Sequence, residues 1–220
     1  MMKKKNYVWL VCVLLCSATI MNAQVLKVES GMAFSMLKTS GLEKDQIFNK
    51  SVKPFQCSVG IEYLDKKLFN LSSSIGYLRM GGKNKTYQYN GPDPTDALLV
   101  DHKYFIDYLT INTLFNLKRS VRRFTYYLGA GPRVDIKIGE KETGIESMEY
   151  VDGQQPKVNA AVFGLKCELG GWYALDNHFR LGANVSYLPS FTKAWTSPVA
   201  PDVTMTTRSF TLGVSLGYVL

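Results

Sequence analysis

The chain has two histidines, and each stands near an acid: His102 follows Asp101, and His178 lies two positions after Asp176. Such pairs suit nucleophilic hydrolysis, because a base-activated serine needs a histidine within hydrogen-bond reach and a third group to orient it. The two histidines fall in different segments, and no serine is marked as a partner for either. No catalytic residue is assigned, and the expected reading is a protein that is not an enzyme. The cysteines and histidines lack the spacing of a metal site. The glycines of Leu128, Gly129, Ala130 and Gly131 lie inside an alternating segment, with no following helix to turn amides toward a phosphate. No cofactor and no metal are expected.

A second set of chemistry-bearing residues is charged and falls on alternating positions: Lys27, Glu29, Glu62, Arg133, Asp135, Lys166, Glu168 and Arg180. Four acids and four bases that share one side of their segments predict a charge network. Its meaning depends on the elements that carry it. In the last segment, Arg208 to Leu220, the residues Phe210, Leu212, Val214, Leu216, Tyr218 and Leu220 alternate with Ser209, Thr211, Gly213, Ser215 and Gly217. Period two over more than ten residues marks a strand. Soluble strands are typically ~5 to 6 residues long, whereas a tilted membrane-crossing strand needs ~9 to 11.

The same pattern predicts strands over 25–38, 53–64, 69–80, 104–118, 123–138, 158–173, 178–188 and 207–220. Short links (65–68, 119–122, 174–177) alternate with long ones (39–52, 81–103, 139–157, 189–206). That alternation predicts an all-β, eight-stranded antiparallel up-and-down transmembrane β-barrel with both termini on the periplasmic side and a filled polar lumen. A lipocalin-like soluble barrel would reverse the polarity of the two faces. On this map the charged set points inward. Lys27 and Glu62 are expected to form a direct cross-strand pair, with Glu29, Glu168 and Arg180 joining it in the lower half and Arg133 and Asp135 above. Lipid-face parity falls on Arg79, Asp107 and Arg208 near the loop side, with a bulge in the fourth strand as the alternative for Asp107.

Aromatic positions carry the same map. Tyr63, Phe69, Phe115, Phe124, Tyr173, Phe179 and Tyr218 share the apolar face and the periplasmic depth, as a girdle at a membrane interface does. The chain has 13 Tyr, 11 Phe and 18 Gly, which suits strands and turns.

Residues 1–23 read as a signal peptide, with Lys3, Lys4 and Lys5 before an apolar run from Tyr7 to Leu15, and cleavage near Ala23 and Gln24. Residues 24–220 are then the barrel domain. The three signal lysines take the net charge from +8 to +5, and the remaining surplus is scattered, so no nucleic-acid partner is expected. Cys57 and Cys167 remain in an oxidising compartment, but the second and sixth strands lie on opposite walls, so both are expected as unpaired lipid-facing thiols.

The segment ending in Ala23 and Gln24, the eight strands, YYLGAGPRVD at Tyr126 to Asp135 and the terminal LGVSLGYVL together resemble the PorT-like outer-membrane β-barrel domain family. The resemblance implies outer-membrane localisation in a Gram-negative envelope and contact with outer-membrane lipids. The expected role is structural or a surface interaction, in which four long extracellular loops meet an extracellular ligand. KNKTYQYNGPDP, from Lys83 to Pro94, suits such a contact surface. The alternatives are a component of a protein secretion machine, with a secretion-machine protein at the loops, and a lipid-modifying hydrolase of the outer membrane.

Overall fold

Alternation gives each segment one apolar and one polar face, but the backbone must still find a partner for every N–H and C=O, and in lipid only closure of the sheet achieves this. The computed structural model describes residues 23–40, 48, 50–89, 97–143, 157–196 and 204–220, and in it a single antiparallel sheet closes on itself. The wall strands are β1 (Ala23–Ser40), β2 (Phe55–Tyr63), β3 (Phe69–Tyr89), β4 (Ala97–Val121), β5 (Phe124–Thr143), β7 (Ala161–Ala174), β8 (Phe179–Pro189) and β10 (Thr204–Val219). Two short strands, β6 (Lys157–Val158) and β9 (Trp195–Thr196), pair with each other, and β9 also pairs with β10. Each wall strand pairs with the next in the chain, and β1 meets β10 from Val25 opposite Val219 to Ser40 opposite Thr204. The expected signal peptide and its cleavage point lie outside the described residues, apart from Ala23 itself, which already pairs with Tyr63.

The turns at 64–68, 122–123 and 175–178 lie at the end where β1 begins and β10 ends. Val121 pairs with Phe124 across a two-residue hairpin, and Arg122 takes a left-handed φ of 55° there. Tight hairpins demand that conformation because its twist matches the strands. At the far end the strands outrun their sequence-based bounds: β3 and β4 stay paired up to Tyr89 opposite Ala97, so most of the expected 81–103 loop is strand. Thr86, Tyr87, Tyr89 and Val100 are β-formers that suit this extension of the ladder. With 21 and 25 residues, β3 and β4 exceed what a bilayer needs and project beyond it.

The apolar face points outward. Leu26, Val28, Met32, Val59, Ile75, Ile111, Leu128, Leu169, Val185, Leu212, Val214 and Leu216 are all exposed, whereas the polar alternates Glu29, Asn112, Glu168, Ser186, Thr211 and Ser215 are buried. This inversion of the soluble pattern is what a wall solvated by lipid requires.

Candidate functional site

Strand parity sends the charged set into the lumen, where depth sorts it into three layers. The middle layer is organised around Glu168 of β7. Its Oε2 lies 2.6 Å from Lys166 Nζ and accepts from Ser186 Oγ at 2.9 Å; its Oε1 accepts from Tyr127 OH at 2.8 Å and from Lys27 Nζ at 3.4 Å. Lys27 also contacts Glu29 at 2.8 Å and sits over the rings of Tyr127 and Trp172. All four charged groups are buried, so the ion pairs replace the water each has lost.

The lower layer differs from the expectation. Lys27 stands opposite Gly60, and Glu62 stands opposite Val25, so the direct Lys27–Glu62 pair is not formed. β1 begins at Ala23, two residues before the alternation suggested, which places Lys27 two positions deeper than the residue opposite Glu62. Glu62 instead accepts from the Asn70 amide at 3.0 Å, and Asn116 donates to Asn70 and Ser72. Arg180 is half-buried and makes no ion pair among the described residues, so it does not join the network around Glu168. It lines a small polar vestibule with Glu62, Asn70, Asn116, Lys118 and Trp172. Lys118 is ion-paired with Asp65 at the rim of this vestibule. The sequence reading missed that pair because Asp65 belongs to a turn, where strand parity says nothing.

The upper layer holds Arg133 and Asp135, two positions apart on β5 and both almost fully buried. Their Nε and Oδ2 atoms lie 2.9 Å apart in ionic contact, without hydrogen-bond alignment, while Arg133 Nη2 donates to Ser190 Oγ at 3.0 Å. Above them the lumen turns apolar: Ala33, Leu78, Met80, Ile106, Tyr108, Val162 and Leu188 pack together with Ala194 from the β8–β10 connection. That connection is held over the mouth by Phe191 N–H donating to Phe163 O and by a mutual bond between Ser190 and Thr207.

On the outer wall at the terminus end, Phe69 stacks with Phe115, Phe124 packs against Tyr173, and Phe179 meets Tyr218 edge-on. Tyr63 shares their face but is only 8 % exposed, and its hydroxyl hydrogen-bonds Ser73 Oγ, which in turn bonds Thr113 Oγ1. Further up the outer wall Tyr187 stacks on Phe210. Phe105 lies ten positions above Phe115 on β4, which at ~3.3 Å per residue and ~40° tilt is ~25 Å, the height of an apolar membrane belt.

Asp107 faces outward. The irregularity near it places the extra residue, Ile138, on β5, so the bulge does not turn Asp107 inward. Arg79, directly opposite on β3, binds both its carboxylate oxygens, and Tyr77 OH donates to one of them.

At the projecting rim His102 contacts Glu142 at 2.5 Å and packs edge-on against Phe48, while Asp101 lies near Lys83. The structure does not pair His102 with Asp101, and no serine bonds it among the described residues. His178 lies in the 175–178 turn at the opposite end, stacked on Tyr218. Cys57 and Cys167 are both free, on β2 and β7.

No protein-family model matches the chain, and no curated protein matches it. Solved structures do resemble it. Outer membrane protein OprG from Pseudomonas aeruginosa aligns over 90 % of this chain and 96 % of its own, at 18 % identity and a TM-score of 0.55. Outer membrane protein W of E. coli aligns over 90 % and 98 %, at 13 % identity and a TM-score of 0.49, and Neisserial surface protein A over 89 % and 97 %, at 17 % and 0.44. The fold is that of the small outer-membrane β-barrels.

Proposed function

We propose that this chain is an integral outer-membrane barrel that neither conducts nor catalyses, and that its task is structural or a surface interaction made by the projecting ends of β3, β4 and β5 with the connections they carry. The carrying observation is the sealed lumen. Lys27 and Glu168 bridge it at mid-depth, and Leu78, Met80, Ile106, Val162 and Leu188 close it above. An apolar constriction excludes hydrated ions, and eight strands leave little room beyond the side chains.

The test is reconstitution into planar bilayers, where the wild-type barrel should show no channel events. Glu62→Gln should lower unfolding stability and still give none; channel events from a folded Glu62→Gln barrel would mean a gated path and sink the sealed-barrel reading. In cells, the protein should fractionate with the outer membrane and migrate differently on gels with and without boiling. Recovery from the soluble periplasm without detergent would refute the location.

For the interaction role, pull-down from native envelopes with residues 90–96 and 144–156 intact or replaced should lose its partner on replacement. A secretion-machine component among the captured proteins would favour the PorT-like reading, which rests on the YYLGAGPRVD and LGVSLGYVL resemblance. The hydrolase alternative requires altered lipid products on overexpression that vanish in His102→Ala.

A further inference from the structure

The barrel wall is incomplete on the rim side of β2 and β3. The β2–β3 ladder runs up to Gln56 opposite Leu78 and then stops; the next bridge above it is Lys50 opposite Lys83. Between them Ser51 to Phe55 and Arg79 to Gly82 are not paired with each other, and Gly81 N–H donates instead to Ser35 Oγ. The gap opens on the outer surface as a groove of about 600 Å³ whose lining includes Lys53, Phe55, Arg79, Lys83, Lys103 and Phe105.

The chemistry of this groove is cationic above and aromatic below. Arg79 is satisfied by Asp107, and Lys83 stands 3.8 Å from Asp101. Lys53 and Lys103 contact no carboxylate among the described residues; Lys53 Nζ lies 5.6 Å from the centre of the Phe34 ring. Lys83 and Lys103 are direct cross-strand neighbours of like charge, and of the two only Lys83 has a carboxylate beside it among the described residues. Depth identifies the anion's source. Phe105 stands ~25 Å above Phe115, about the height of an apolar membrane belt, which puts Lys103 just above it at headgroup depth, while Phe55, Val59 and Ile75 lie lower and are exposed on the outer wall.

We propose that this groove binds the phosphorylated headgroup of an outer-leaflet lipid, with Lys53 and Lys103 as the phosphate-binding cations and Phe55 and Phe105 against the lipid below. The assignment rests on the membrane reading above, since a soluble barrel would have no lipid at that depth.

The test uses the full barrel in neutral detergent, titrated with bis-phosphorylated lipid A or its dephosphorylated form, with bound lipid counted by native mass spectrometry. The wild type should retain the phosphorylated lipid, and Lys53→Gln with Lys103→Gln should weaken retention at least tenfold. Lys66→Gln with Lys67→Gln, an equal charge change at the terminus end, should leave it unchanged. Folding of each variant is checked by the heat-dependent gel shift, and the single substitutions replace the double if it fails that check. Equal retention of the dephosphorylated lipid, or unchanged retention by the folded lysine variants, overturns the site. Displacement by an equal concentration of inorganic phosphate would make it a soluble-anion site and overturn the lipid assignment. Failure of the membrane reading is separable: wild-type protein would show no gel shift and would not stay with liposomes, before any phosphorylated lipid is added.

Discussion

Lys27 Nζ lies 3.4 Å from Glu168 Oε1, although β1 and β7 are separated in the wall by β10 and β8. The bridge crosses the lumen itself. It ties together two positions 141 residues apart, in an interior where an unpaired charge is costly. Glu168→Ala strands Lys166 and leaves Lys27 with Glu29 alone, and should lower unfolding free energy by ~3–5 kcal/mol. Glu168→Gln, which can still accept from Tyr127, should cost less. Urea unfolding in vesicles measures both, and a loss below ~1 kcal/mol for the alanine variant would show that the hub is not structural.

On the outer wall, Arg79 and Asp107 form a two-point pair whose side chains are 34 % and 17 % exposed. Partial screening puts their coupling in a double-mutant cycle at ~1–2 kcal/mol, between exposed and buried pairs. Arg79→Lys should recover less than half of it, because an ammonium cannot reproduce the planar fork. Full recovery by lysine would mean that simple charge, not geometry, holds the pair.

Cys57 and Cys167 should both remain reduced after export. Non-reducing digestion and mass spectrometry should find two free thiols, and a peptide joining them would contradict their placement on opposite walls.

Gly170 marks a close approach inside the lumen, where a Cβ would fall on the Tyr127 ring and hydroxyl. Gly170→Val should therefore push Tyr127 off Glu168 and cost ~1–3 kcal/mol. A Cβ at the neighbouring Gly171 would meet its nearest atoms at 3.6 Å, so Gly171→Ala should be tolerated. Equal unfolding midpoints for the two variants would count against this packing.

The turn carboxylate of Asp176 accepts from the backbone N–H groups of Phe179 and His178, both at 2.7 Å, which holds it below the usual carboxylate range. A lowered folded-state pKa contributes stability above the unfolded value and loses it as pH falls through the folded one. The stability gap between wild type and Asp176→Ala should thus be constant near neutrality and narrow in acid. Unfolding midpoints taken stepwise into the acid range will show this, and a gap that widens in acid would refute it.

Parity along the strands was enough to place Glu29, Arg133, Asp135, Lys166 and Glu168 on the inner side of the wall and Leu212, Val214 and Leu216 on the outer, because side chains alternate with period two whatever the partner strand. The alternation of short and long links likewise made the up-and-down order readable. Partnership was another matter. Whether Lys27 meets Glu62 or Glu168 depends on where β1 begins and on how the closed ring brings β7 across from β1. The upper apolar layer escaped the sequence for a related reason. Leu78, Met80, Ile106 and Val162 have inward parity, but their common depth follows from strand registers set by inter-strand hydrogen bonds. The basic groove required more still, since the unpaired stretch between β2 and β3 exists only because Val52 bonds to Ser35 of β1 and Lys50 to Lys83 of β3. The sequence by itself determined which way each side chain points, a local consequence of backbone geometry; only the tertiary structure decided which of them meet, because register and closure are properties of the paired strands together.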